Sequence, residues 1–295
     1  MVLVIGGTGV LGRHLVPMLV QSGIPVRVMA RSPERAERVR AMGAEPVTGD
    51  LTDARSLASA CEGVDRVVAA AHGLIGRGAL NSRAVDDLGQ RALIDAAQAS
   101  GVQHFVFLSA LGASPDHPID FFRTKYAVEQ HLQRSGLAYT ILRPTAYMEW
   151  HAHEFLGKGI VEKGKTMILG SGRTPVNFVA AEDVARYVMV ALTDPRARNR
   201  MLEVGGPEDL SKNQVAERYT SVTGKQANVG HVSPVVLRAL GAAVAPFHEG
   251  IARVMRLAAV EDKLDQRFDQ TRRPVEFEIP QTSLDDFIRQ RSGLA

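Results

Sequence analysis

Cysteine is all but missing from this chain: Cys61 is the only one in 295 residues. No internal disulfide can form, and a reducing compartment is expected. Cys61 has no basic neighbour in Ser59-Ala60-Cys61-Glu62 and reads as a packing residue rather than a reactive thiol. An excess of one charge is missing too. The net charge is +3, with bases scattered among acids, so nucleic acid is not an expected partner. No uninterrupted apolar run is long enough to cross a bilayer. The most apolar late stretch, Val235 to Ala259, is broken by Arg238, Pro246, His248, Glu249 and Arg253 and cannot span a bilayer. A strand pattern begins at Val2, so neither a signal nor a transit peptide is expected, and a cytoplasmic protein without a membrane partner is the default. Neither His-Glu-x-x-His nor Gly-x-Ser-x-Gly occurs. His151, His153 and Glu154 tempt one toward a metal, but residues two apart do not share a helix face, so no metal is expected.

What is present comes at once. Val2-Leu3-Val4-Ile5 runs into Gly6-Gly7-Thr8-Gly9-Val10-Leu11-Gly12 and then a helical pattern from Arg13. Strand, glycine turn and helix in that order make a dinucleotide site. Gly6 lets the chain turn sharply, Gly9 leaves room for a pyrophosphate, and Gly12 is expected to let the helix approach the sheet. The unpaired N–H groups of that helix would face the phosphates.

Strand and helix signals then alternate. Strands are expected over 26–30, 46–48, 66–71, 104–108 and 139–142, and helices over 33–42, 54–61 behind an Asp53 cap, and 85–100 before Gly101. Near-continuous apolar strands between helices predict an α/β fold, a doubly wound, Rossmann-like parallel sheet with ligand at the carboxyl ends of its strands. Residues 146–175 show no clear periodicity. A strand at 176–179, a helix over 181–192 and a strand at 201–204 read as a return to the main domain. The expected division is 1–145 plus about 176–204 for the nucleotide domain, and about 146–175 plus 205–295 for a smaller substrate-covering lobe.

Several segments together carry a resemblance: the glycine turn, Val47-Thr48-Gly49-Asp50-Leu51, Phe105 to Gly112, Ile141-Leu142-Arg143-Pro144, and Val179 to Ala185. In this order they are similar to the short-chain dehydrogenase/reductase superfamily, in its atypical NmrA-like branch. The resemblance implies a Rossmann-like fold and an NAD(P) cofactor. It covers both NADPH-dependent quinone or phenylpropanoid reductases and members that bind the cofactor without turning it over.

Strand two ends in Ala30-Arg31-Ser32, with no acid to meet a ribose 2′-OH. Arg31 can fork onto a 2′-phosphate, Ser32 can add a hydroxyl, and Arg35 or Arg13 a second charge, so NADP(H) is expected; the alternative is a solvated loop arginine. Asp50 and Leu51 match the segment beside adenine, though Asp50 also suits a turn. Ala69 to Gly73, with Ala70, Ala71 and His72 at its centre, should line the cofactor by backbone contact.

The superfamily's catalytic members use a serine, and a tyrosine four residues before a lysine. Ser109 and Lys125 match, but Phe121 stands where the tyrosine belongs and has no proton to give. Lys125 is then expected to steer protonation or hold the ribose, and Tyr147 to reach the nicotinamide from the other lobe. Tyr126 points about 100° away from Lys125 around the helix. The alternatives stay open: Lys125 as a surface lysine paired with Glu129, Ser109 as a strand-end cap. Tyr147, Met148, Trp150 and Phe155 either face a flat apolar substrate or form a seam between lobes. The leading expectation is an NADPH-dependent reductase of a small apolar acceptor such as a quinone or enone. A non-catalytic NADP(H)-binding sensor or accessory subunit is the alternative, and a sugar-nucleotide epimerase ranks last. A homodimer is left open, with no interface in view.

Overall fold

The computed structural model describes residues 1–76 and 78–294. The chain divides into two compact units, Met1–Arg143 with Val184–Glu203, and Pro144–Asp183 with Val204 onward.

The first unit is built on a seven-stranded sheet. In chain order its strands are β1 (Val2–Ile5), β2 (Val26–Ala30), β3 (Glu45–Thr48), β4 (Arg66–Ala69), β5 (His104–Leu108), β6 (Tyr139–Pro144) and, after three strands of the second unit, β10 (Arg200–Val204), each close to its expected span. They lie in the order β10-β6-β5-β4-β1-β2-β3, with parallel pairing from β3 through β6. The order reverses between β1 and β4, and in such sheets the crevice beyond those two strand ends receives a nucleotide. Every residue of β1 and of β5 is buried, as expected for a sheet covered on both faces. One side packs Leu3, Ile5, Phe105 and Phe107 against Leu57, Leu93, Ile94, Val128 and Leu132. Those partners come from α3 (Ala54–Cys61), α4 (Gln90–Ala99) and α5 (Asp120–Arg134). Asp53 caps α3 as expected, accepting from the Arg55 amide. Cys61 is buried in this core, and burial pushes its thiol up to about 11, so it is inert at neutral pH.

The remaining helices of this unit are α1 (Gly12–Gln21), α2 (Pro33–Ala41) and most of α7 (Ala181–Thr193). The helix expected over 85–100 begins earlier and differently: Arg83–Gly89 winds in wide π-type turns before tightening into α4.

In the second unit, β7 (Ala146–Tyr147), β9 (Pro175–Val179) and β11 (Asp209–Ser211) form a three-stranded sheet in the order β11-β9-β7, and β8 (Lys165–Leu169) pairs in parallel with β12 (Asn228–Val232). The strand expected at 176–179 therefore forms, but its neighbours are β7 and β11 rather than the seven-stranded sheet. The aperiodic segment is also ordered. Met148–Gly157 is another π-type helix, running into α6 (Lys158–Lys163). Its Met148, Ala152 and Leu156 join Ile160, Phe178, Tyr219 and Ile288 in one core, with α8 (Lys212–Thr223) and α11 (Leu284–Ser292) contributing. A hairpin of α9 (Pro234–Val244) and α10 (Glu249–Glu261) packs through Leu237, Ala258 and Ala259 onto Leu169 and Val232.

Candidate nucleotide and active site

Gly6 leaves β1 with φ +91°, where other residues are strained, and a Cβ there would sit 2.9 Å from the Ala70 carbonyl carbon and the Ala71 nitrogen. The turn after β1 thus lies directly against the chain leaving β4. Gly12 differs from expectation. Its missing Cβ makes room for the backbone of Gly7, 2.3 Å away, rather than for the sheet, and it is Gly7 that meets β2, at 2.6 Å from a Val28 methyl. The turn is folded on itself by Gly9 N donating to Gly6 O (2.9 Å), and a Cβ on Gly9 would meet only that same oxygen. Thr8 and Val10 are half-buried in it, and Leu11, which precedes α1, makes no side-chain cap. Arg13 N and His14 N already donate to Gly9 O and Leu11 O, both at 3.1 Å, so the amides placed to meet an anion are those just ahead of them, at Val10 to Gly12.

At the end of β2, Arg31 is exposed, and its guanidinium lies 3.8 Å from an Asp50 oxygen, beyond hydrogen-bond reach. Asp50 is engaged locally, accepting from the Thr52 amide and hydroxyl at 2.8 and 2.7 Å. That is the turn role. Ser32 accepts from Arg35 N and caps α2. Leu51 is buried.

Beyond β4 the backbone is held at two points around His72. Gln90 Nε2 donates to Ala71 O (2.9 Å), and Gly73 N donates to Asp86 Oδ1 (2.8 Å), whose second oxygen accepts from Ser82. His72 borders solvent, yet the protein around it lowers its pKa. Asp86 opposes that shift and Lys125 adds to it. Asp86 is fully buried, and sequence reasoning missed both it and Gln90. A signal was available: Asp86 and Gln90 share a register with the buried Ile94 and Ala97, an odd place for polar groups without a task.

Lys125 lies on α5 and is buried. Its Nζ donates to Leu108 O (2.8 Å) at the end of β5 and stands over the rings of Phe107 (4.8 Å) and Phe121 (5.6 Å). Burial lowers its pKa, while the charges of Asp86 and Glu129 act in the opposite direction. Lys125 is thus neither a surface residue nor the ion-pair partner of Glu129. Glu129 is taken by Arg143, whose Nε and Nη2 donate to its two oxygens at 2.8 and 2.5 Å, and by the Ser109 hydroxyl. The two-toothed guanidinium outcompetes a lysine one turn away. Ser109 consequently ties the end of β5 to α5, and its proton is engaged by the carboxylate.

Tyr147 belongs to the second unit, where burial and the charge of Glu149 raise its pKa. Glu149 itself accepts from the amide of Ala181 at the start of α7. Met148 is a core residue, whereas Trp150 and Phe155 are partly exposed with ring centroids 6.0 Å apart. His153 meets the Tyr219 hydroxyl (3.2 Å), Glu154 pairs with Lys158, and His151 lies against Phe155.

The family model described as the NmrA-like family matches residues 1–288. The chain belongs to the NmrA-like family. Among NmrA-like and related proteins it is similar to the NAD(P)H azoreductase of Xenophilus azovorans, 34% identical over 227 residues, which cover 76% of this chain and 74% of that protein. It is also similar to the photosystem II assembly factor Ycf39 of Trieres chinensis, 27% identical over 260 residues, 88% of this chain and 80% of that one. Among solved structures, the NADPH-dependent quinone oxidoreductase QOR2 of Escherichia coli, complexed with NADPH, superposes with a TM-score of 0.78 at 22% identity, covering 99% of this chain and 100% of that chain. That likeness shows a common fold.

Proposed function

We propose that this NmrA-like protein is an NADPH-dependent reductase of small apolar acceptors such as quinones or enones. One observation carries the reading: a buried lysine with a lowered pKa stands at the end of β5, beside the strand whose exit abuts the glycine turn. Lys125 Nζ is hydrogen-bonded at the end of β5, Asp86 links the end of β4 to the same charge, and Gly6 abuts the chain leaving β4. The residues fit the cofactor. The close approach at Gly6 and the uncapped start of α1 make a cradle for a pyrophosphate, and the exposed Arg31 offers its fork to a 2′-phosphate. Both the azoreductase and the quinone oxidoreductase named above are NAD(P)H enzymes by name.

When bound, NADPH supplies a hydride; the balance of reducing a quinone or enone then needs one proton. Lys125 holds such a proton at Nζ, where burial eases its release, and Asp86 keeps a countercharge in place. Phe107 and Phe121 flank that ammonium with apolar surface and restrict water. Ser109 holds the strand end through Glu129, and it meets an acceptor oxygen only after its hydroxyl turns from that carboxylate.

A second reading is a non-catalytic NADP(H)-binding sensor or accessory subunit. Phe121 in place of a tyrosine favours it, and so does the likeness to an assembly factor. Loss of NADPH absorbance with a panel of quinones, azo compounds and enones separates the two. For the reductase, the native protein oxidises NADPH with at least one acceptor, and Lys125→Met lowers kcat by about 100-fold or more with NADPH affinity kept. Tight NADPH binding without oxidation by any acceptor overturns it in favour of the sensor.

A further inference from the structure

The α9–α10 hairpin turns apolar side chains outward. Val235 is 68% exposed, Val236 46%, Leu240 44%, Ile251 40%, and Phe247, in the turn between the helices, 82%. Ala239, Ala242, Ala243 and Pro246 are exposed as well, whereas Leu237 and Gly241 are the buried residues of α9. Val236, Leu240 and Ala243 recur four and three apart, which is one stripe of the helix. From Pro234 to Phe247 the only ionisable side chain is Arg238. A helix apolar on nearly every side is ordinarily covered, and a contiguous apolar patch marks a docking surface.

The charges around the patch point to the occupant. Arg238 and Arg256 are exposed, and the acid that opens α10, Glu249, is engaged by Arg253 at 3.2 Å. The hairpin therefore offers apolar side chains with a basic fringe, the complement of an anionic lipid surface. Its helices, 11 and 13 residues long, are too short to cross a bilayer and suited to lying in its interface. A second copy of the chain fits less well. A two-fold pairing of this face would set Arg238 and Arg256 against their own copies, while the acid that opens α10 already answers Arg253.

We propose that the α9–α10 hairpin seats this protein on anionic bilayers, with Val235, Val236, Leu240, Phe247 and Ile251 at the acyl boundary and Arg238 and Arg256 among the headgroup phosphates. Seating of this kind is independent of the reaction and holds whether or not the protein reduces anything.

The test is co-sedimentation of the full chain with vesicles of phosphatidylcholine alone or mixed with phosphatidylserine. Leu240→Ser/Phe247→Ser and Arg238→Gln/Arg256→Gln are compared, and unchanged circular dichroism and thermal midpoint confirm that each variant is folded. The native protein is expected to pellet with the mixed vesicles, less so as salt rises, and weakly with phosphatidylcholine. The apolar pair should lose about tenfold in partitioning or more, and the arginine pair several-fold together with the salt dependence. Equal binding to both vesicle types, or none to either, overturns the proposal. So does a dimer in sedimentation equilibrium that Leu240→Ser/Phe247→Ser dissolves while vesicle binding is absent; the face is then covered by a second copy.

Discussion

The strand ends of the first unit and the hairpin of the second are built on opposite rules. At the strand ends buried charges are answered: Glu129 by Arg143 and Ser109, Asp86 by Gly73 N and Ser82, Lys125 by Leu108 O. On the hairpin, apolar side chains such as Phe247 go uncovered by the chain itself. The first arrangement is intolerant, because removing one partner strands the other in a dry interior. The second contributes little to holding the fold, since a side chain already in water gains little burial on folding. One region is constrained from within the molecule, and the other is free to be shaped by what it meets.

The largest test of that contrast is Gly6→Val. A Cβ there meets backbone at 2.9 Å in a left-handed conformation, so NADPH affinity measured by fluorescence titration should fall about 1,000-fold or more, roughly 4 kcal/mol. Next comes Glu129→Gln, which leaves Arg143 without its two-toothed partner and should cost about 3 kcal/mol in urea unfolding. A cost under about 0.5 kcal/mol would show that the strand-end network is not tight. Within the hairpin the contrast can be drawn on one helix: Leu237→Ser should cost about 3 kcal/mol and Leu240→Ser less than about 0.5 kcal/mol. Equal costs would mean that Leu240 is covered in solution.

A smaller effect is set by pH. His104 in β5 is buried; Thr140 gives its own proton to Ala197 O, so the imidazole donates to Thr140 at 3.0 Å. Burial first, and then the charge of Arg198, push its pKa down to about 4 from 6.5. The folded state therefore disfavours the protonated ring, so this contribution is complete above pH 6.5 and lost as pH falls toward 4. The native protein should lose about 2 kcal/mol over that window, and His104→Gln should flatten that part of the profile. Smallest is Arg31→Ala, expected to weaken NADPH binding about tenfold while leaving NADH unchanged; equal losses would remove the 2′-phosphate from its role.

Much of the strand-end region was legible in the amino-acid order because its signals are local. The glycine turn, the Asp53 cap and the all-apolar strands each announce themselves within a few residues. What escaped depended on distance or phase. Helical spacing leaves Glu129 open as an alternative partner of Lys125, but Arg143, 14 positions later, binds it with better geometry. The segment after Tyr147 looked aperiodic because π-type turns advance by more than 3.6 residues and blur the expected stripe. Gly12 departs from expectation for a third reason: which backbone a missing Cβ admits depends on how the turn folds back.

The wide winding of Arg83–Gly89 carries a consequence for how this chain can change over evolutionary time. Such a winding is what one surplus residue does to an ordinary helix. Deleting a single residue there would restore regular phase but swing Asp86 through about 100°, away from Gly73. Descendants can therefore replace many side chains of that segment more safely than they can shorten it.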